Sequence, residues 1–508
     1  MLDHKNLIKK IPKEILKIIK TLEKKGFKAY LVGGCVRDII IGNDPKDWDI
    51  TTNATPEEII PLYKKTVYEN DFGTVMVINE DVTHETLKKI EITPYRLEGK
   101  YTDHRRPDQV VFSNNLEDDL KRRDFSINAI AFNLKGHLTD IFNGLKDIEK
   151  KIIRTVGDPD YRFKEDALRM LRAIRFAVQL NFTVSHETTE SIFRNAFLIK
   201  EISNERIRDE LQKIVMSPYP AVGITMLHKF GLLKYIIPEL EEGIGCEQSG
   251  EHIYDVWNHS LHAVQHSADK NWPLEVRFSA LFHDIGKPRT RRFIKNDNSI
   301  KKNQNELQKS FSRKKYTFYG HEVVGARMAK KIMERLKFSK KESELVEKLI
   351  YSHMFFSDTE KITISAVRRI ITKVGKENIW LLMNVRECDR VGMKKKETPY
   401  RLRKYFAMIE EALRDPVSVS QLKIDGNYMI KDMGMKPSKR MGWILNSLLE
   451  EVLDDPKKNT TLYLSRRAKE LDLLSDISLQ KIGEKAKEKK EELEKEEIEK
   501  LHKKHNVS

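Results

Sequence analysis

The chain reads as an α+β protein, with its strands gathered near the N-terminus and helices after them. Two observations predict this. Short apolar runs such as Ala29-Tyr30-Leu31-Val32, Thr74 to Ile78 and Lys89 to Tyr95 have the length and composition of strands. From Tyr161 onward the apolar residues fall at helical spacing, as in Leu168, Leu171, Ile174 and Val178. At 508 residues, roughly three or four domains are expected.

The most informative stretch is Gly33 to Asp49, GGCVRDIIIGNDPKDWD. An apolar strand runs into the Gly33-Gly34 turn, and a helix starts at once with Arg37-Asp38 and Ile39 to Ile41. Glycines let a phosphate approach the backbone, and a helix N-terminus offers it free N–H groups. A second strand follows at Asp47-Trp48-Asp49-Ile50. Alternate strand residues share a face, so Asp47 and Asp49 project together while Trp48 and Ile50 point into a core. Two such carboxylates call for a cation. Mg²⁺ suits them, because it takes carboxylate and phosphate oxygens together, and two ions can activate an attacking hydroxyl and stabilise a leaving oxygen. Either half alone is an ordinary turn or a solvated loop. Joined within 17 residues, they point to metal-dependent nucleotidyl transfer. The stretch resembles the head signature of the class II tRNA nucleotidyltransferase and bacterial poly(A) polymerase family, and the resemblance runs from about residue 10 to 470.

Composition agrees with a polyanionic partner. Lys+Arg is 93 against 77 Asp+Glu, a net charge of +16, which suits nucleic acid. Cys35, Cys246 and Cys388 stand far apart without CxxC spacing, which argues for a reducing, cytoplasmic setting and against a Cys-ligated metal. No apolar run reaches 18 residues, so no membrane span is expected. The lysine-interrupted start, MLDHKNLIKKIPKEILKIIK, reads as an amphipathic helix and not as a signal peptide.

Within the head, Glu57 to Tyr63 reads as a helix. Glu91 is equally a third metal-site carboxylate or a surface strand residue, and Pro94 marks a strand end or bulge. Gly99 to Pro107, polar and basic, fits the family's flexible loop, either ordering over a nucleotide or staying passive. Arg122-Arg123-Asp124, with Ser126 and Asn128, resembles the second family motif. The resemblance implies that Arg123 contacts phosphate and Asp124 the ribose, and both roles fit the side chains.

In Tyr161 to Leu180 the residues Glu165, Asp166, Arg169, Arg172 and Arg175 form a polar stripe. On spacing alone it reads as Asp–Arg pairing on a solvated helix face. In the family, however, EDxxR reads the incoming base. Asp166 would accept from an exocyclic amine and Arg169 would donate to ring acceptors. Cytosine and adenine both offer an amine beside an acceptor, whereas uracil and guanine present the reverse. Arg172 and Arg175 would carry triphosphate. Asn204 to Leu211 resembles the motif that braces the neck.

Gly243 to Gly250 reads as a linker. Beyond it, His259 on a helix, His283-Asp284 in LFHDIGKP and the distant Asp389 match the ligand pattern of the HD phosphohydrolase superfamily. Imidazole plus carboxylate suits a divalent transition metal. His321 and His353 sit where some members place extra ligands. Arg289 to Lys315 is a long basic stretch read as a disordered loop. Leu422 to Glu451 and Asp454 to Ala468 resemble the family's C-terminal helical segment, and Gly483 to Lys504 is a charged tail.

The expected layout is a nucleotidyltransferase head with a mixed or antiparallel sheet over 1–145, then a helical neck and body over 146–245. An HD-like region over 246–415, a helical tRNA-binding segment over 416–475 and a charged tail over 476–508 complete it. The resemblance implies CCA addition to the 3′ end of tRNA from CTP and ATP, or A-only or poly(A) addition by the same motifs. Of other classes, an HD phosphohydrolase acting on phosphate ends or cyclic phosphates and a non-catalytic RNA-binding protein are the alternatives. The intact carboxylate and arginine sets weigh against the last.

Overall fold

The computed structural model describes residues 4–69, 73–98, 110–248, 253–293, 316–354, 364–391, 400–413, 422–454 and 456–485. The chain forms two compact units, residues 1–353 with 383–394, and residues 354–382 with 395–508. The loop expected at Gly99 to Pro107, most of the basic stretch after Arg289 and most of the charged tail lie outside the described residues.

The first unit opens with two helices where one was expected. His4–Lys9 and Lys13–Lys24 are separated at Pro12, whose ring and missing N–H end the first helix. Ile15, Ile18, Ile19 and Leu22 form the buried stripe of the second, at the spacing of one helix face.

The sheet is mixed, within the expectation. We number its first five strands β1 (Ala29–Val32), β2 (Asp49–Thr52), β3 (Thr66–Glu69), β4 (Thr74–Ile78) and β5 (Lys89–Pro94). The order is β3-β4-β5-β2-β1, followed by Ile130–Phe132 and Leu138–Asp140. All neighbours are antiparallel except β2 and β5, which run parallel and set Asp49 opposite Glu91. A parallel pair needs a long crossover; here it holds the helix Pro56–Ile59, a 3₁₀ turn at Ile60–Leu62, and the β3–β4 hairpin. Pro94 is the last residue of β5, as its missing N–H requires. Trp48 and Ile50 are buried beside β1 as their alternation demands, but Asp47 lies in the bend before β2 and not in the strand.

The neck departs from the sequence reading in one decisive place. Tyr161 to Leu180 is not one helix but two, Pro159–Glu165 and Leu168–Leu180. Asp166 between them is extended (φ −147°, ψ 103°), and its carboxylate accepts from Leu168 N–H at 3.1 Å. A short acidic side chain that satisfies a nearby backbone donor competes with the helix in this way. The expected linker is also built into the fold as far as residue 248: Cys246 is buried, and Gly243 C=O accepts from Trp257 N–H. Residues 249–252 lie outside the described residues.

One continuous apolar core joins the head, the neck and the helices as far as Ile350. In the second unit, Ile424, Met429, Ile444, Leu448 and Leu464 form a separate core of the helices Gly426–Lys431, Lys439–Asp454 and Thr461–Asp472. Cys35, Cys246 and Cys388 are buried and free. Among the described residues no helix is long and apolar enough to cross a membrane.

Candidate functional site

The Gly33 turn is where the head's chemistry converges. Gly33 has φ +83° and caps the helix Gly34–Ile41, a conformation open to glycine at little cost. A Cβ at Gly33 would stand 3.0 Å from Arg123 Nη1 and 3.3 Å from Asp49 Oδ2. A Cβ on Gly34 would stand 3.6 Å from Arg37 Nη2. Two guanidinium groups and a carboxylate therefore face one bare stretch of backbone at a helix N-terminus.

Asp47 is exposed and Asp49 half-buried. No hydrogen bond or ion pair engages either carboxylate among the described residues. Burial raises the Asp49 pKa, Arg123 opposes the rise, and Asp47 and Asp119 add to it. Adjacent acceptor-only oxygens without a fixed partner fit a hard divalent cation.

Arg123 is aimed by a residue the sequence reading missed. Asp119 is fully buried and bridges Arg122 at 2.6 Å and Arg123 at 3.0 Å. Its pKa is lowered, because the two arginines outweigh the effect of burial. The i, i+4 spacing from Asp119 to Arg123 was a visible signal.

Asp124 is not free. It accepts from Arg172 at 2.5 Å, from Asn128 Nδ2 at 3.1 Å and from Phe125 N–H at 2.8 Å. Burial raises its pKa, but Arg172 and these hydrogen bonds win and hold it well below the usual carboxylate range. Asn128 Oδ1 accepts from Arg37 at 2.7 Å. The chain Arg172–Asp124–Asn128–Arg37 thus ties the neck to the Gly33 turn.

The polar stripe is not a solvated face. Arg169 and Arg175 are buried. Arg175 pairs with Glu210 at 2.8 Å and Asp166 with Arg206 at 2.8 Å, both partners coming from the helix Asn204–Val215 that was expected to brace the neck. Arg169 pairs with Glu165 at 2.5 Å and donates to Arg122 C=O at 3.3 Å. Asp166 and Arg169 consequently do not share a helix; the first stands in the break and the second is the second residue of the next helix.

The HD residues converge, all in the first unit. His259, His283, Asp284 and Asp389 are buried and each offers one ligand atom, all within 4.8 Å of one another. His259 Nε2 and His283 Nε2 face each other at 3.0 Å. Asp284, His321 and His353 form a second such group that shares Asp284. His283, His321 and His353 each turn Nδ1 to the carbonyl three residues back, at 2.8, 2.8 and 2.6 Å. A carbonyl can only accept, so Nδ1 carries the proton and Nε2 keeps its lone pair for a cation. Asp284 Oδ1, His321 Nε2 and His353 Nε2 are buried and make no hydrogen bond among the described residues. This donor set fits one or two divalent transition-metal ions. Lys287 donates to Asp284 Oδ2 at 2.6 Å, the oxygen that also faces His259 and His283, and Arg386 at 2.5 Å holds the Asp389 oxygen turned away from them; neither was singled out from sequence. His262 stacks on Tyr254 instead of joining the cluster.

Comparison with known proteins places these sites in context. The model of the poly A polymerase head domain matches residues 29–154. One described as a "Probable RNA and SrmB- binding site of polymerase A" matches 181–244, and the HD domain matches 251–393. The CCA-adding enzyme of Geobacillus thermodenitrificans is 39% identical over 56% of this chain and 65% of its own length. That of Lactiplantibacillus plantarum is 47% identical over 43% of this chain and 53% of its own length. The chain thus aligns with between half and two thirds of the length of these curated relatives. The crystal structure of the Bacillus stearothermophilus CCA-adding enzyme in complex with CTP aligns over 91% of this chain and 97% of its own, at 25% identity and TM-score 0.57. Three family models thus match the chain in series, that of the poly A polymerase head domain, that of a probable RNA-binding site of polymerase A and that of the HD domain.

Proposed function

We propose that the chain is a template-independent tRNA nucleotidyltransferase that adds CCA to tRNA 3′ ends from CTP and ATP and releases pyrophosphate. The observation that carries this reading is the meeting of Arg123 and Asp49 at the bare Gly33 backbone. Its relatives carry the name CCA-adding enzyme, and one solved neighbour holds CTP. Asp47 and Asp49 would hold Mg²⁺, which when bound activates the 3′-hydroxyl and stabilises the leaving oxygen. Gly33, Gly34, Arg37 and Arg123 receive the triphosphate; Arg172 and Arg175 add positive charge behind it. Asp124, held rigid by Arg172 and Asn128, presents its carboxylate to the ribose. Asp166 and Arg169 meet the base edge, each oriented by its own partner, Arg206 and Glu165. The test is incubation with tRNA lacking its 3′ end, each labelled NTP and Mg²⁺, followed by sequencing of the product ends. Ordered C, C and A support the reading. A alone would favour the A-adding polymerase, and no addition would refute transfer.

The base-reading assignment makes its own prediction. Each hydrogen bond lost from a buried group costs about 1–3 kcal/mol, or about tenfold to a hundredfold in discrimination. Asp166→Ala should lower the preference for CTP and ATP over UTP and GTP by that factor in single-turnover incorporation. Arg206→Ala should give a smaller loss of the same kind, because it orients Asp166. Equal slowing of all four nucleotides by Asp166→Ala would reduce the residue to a brace.

The buried histidine cluster favours a second activity, a metal-dependent phosphohydrolase acting on phosphate ends or cyclic phosphates. His283→Ala combined with Asp284→Ala should abolish bound transition metal and any phosphatase activity while sparing nucleotide addition at moderate temperature. Equal metal content in wild type and double variant would refute the ligand set.

A further inference from the structure

Phe176 lies buried on the helix Leu168–Leu180. Its ring meets Phe125 of the head edge-on, with centroids 5.7 Å apart. Three guanidinium carbons surround the same ring: Arg175 at 4.1 Å, Arg37 at 5.2 Å and Arg172 at 5.4 Å from its centroid. Each cation has a separate carboxylate, Glu210, Asp38 and Asp124 respectively. The ring is therefore what the three share. Two of them stand on the neck helix and the third flanks the Gly33-Gly34 turn. An aromatic face attracts cations through its quadrupole, most strongly where water is excluded. Without it, three guanidinium groups would crowd around apolar volume and repel one another. Burial, followed by the charge of Arg172, already pulls Arg175 down to about 10. A cluster of this kind is poised for additional negative charge.

We propose that Phe176 is a positioning residue for the polyphosphate of the incoming nucleotide, holding Arg37, Arg172 and Arg175 at a fixed spacing across the head–neck junction. The inference rests on the nucleotide-transfer reading above and adds a residue to which that reading gives no role. Every nucleoside triphosphate carries the same phosphates. Phe176 therefore sets affinity for CTP and ATP alike and leaves base choice alone, unlike Asp166.

The test replaces Phe176 with mono-, di- and trifluorinated phenylalanine, which keep the ring's shape and drain its negative face, and with leucine, which removes the ring. KM for CTP and for ATP should rise together with each added fluorine and reach about tenfold in Phe176→Leu, with kcat nearly unchanged. Inhibition by inorganic triphosphate should weaken by the same factors. The fluorinated series keeps the test valid if the leucine variant does not fold. A flat KM across that series, with wild type binding both nucleotides, would overturn the positioning role and leave the transfer reading intact. So would a rise for one nucleotide only. Failure of wild type to bind either nucleotide would overturn both.

Discussion

Replacing Asp49 with alanine should cut nucleotide addition by about a thousandfold, because a metal's stabilisation of transition-state charge is worth several kcal/mol and each 1.4 kcal/mol is tenfold. Binding of tRNA should persist, because affinity for a polyanion comes from Lys and Arg spread over the surface. Asp47→Ala should behave in the same way, although Asp47 stands in the bend before β2 and not in the strand. Both carboxylates lack a fixed partner among the described residues, so their removal breaks no ion pair and should leave thermal stability close to wild type. The measurement is single-turnover incorporation beside a filter-binding titration. More than a tenth of wild-type incorporation in either variant would sink the metal assignment.

Asp119→Ala should have the largest effect on stability. The carboxylate is fully buried and two arginines depend on it. Removing one partner of a buried pair costs about 3–5 kcal/mol, and the figure here should be about 2–4, since both arginines retain some access to water. Denaturant titration should report that loss, and KM for nucleotides should rise as Arg123 loses its aim at Gly33. Asp119→Asn keeps the shape without the charge and should lose less stability. The pH dependence follows from the lowered pKa of Asp119 in the fold. Its stabilisation is present above the unfolded value, about 3.9, and is lost as pH falls through the folded value. An Asp119→Ala variant as stable as wild type at neutral pH would show that the bridge contributes nothing net.

The strand–turn–helix at Gly33 was legible because the apolar run Ala29 to Val32 and the paired glycines after it are local signals. The histidine cluster was legible because its ligands sit in a distinctive string, LFHDIGKP, with a distant Asp389. The break at Asp166 was not legible. Helical apolar spacing runs unbroken from Phe163 to Val178, and a side chain's competition for one backbone N–H leaves no trace in that period. Nor were the long-range partners: Glu210 for Arg175 and Arg206 for Asp166 come from another helix, so their pairing is a property of packing. The stripe looked solvated because spacing reports which residues share a face and not what covers it.

The apolar core that runs unbroken from the head to Ile350 has a thermodynamic consequence. The helices that carry or lead into His259, His283, His321 and His353 share that core, so a cation bound among them would be linked to the folding of the head as well. Mass action then contributes about 2.7 kcal/mol to the native state at a free-ion concentration a hundredfold above the dissociation constant. No ligand of that cation belongs to the Gly33 site. Even so, if the cluster takes up a divalent cation as proposed, a cell depleted of that cation would hold a head that unfolds more readily and is cleared faster by proteases. Metal supply would thereby govern how much of the protein survives, without changing how fast each surviving molecule works.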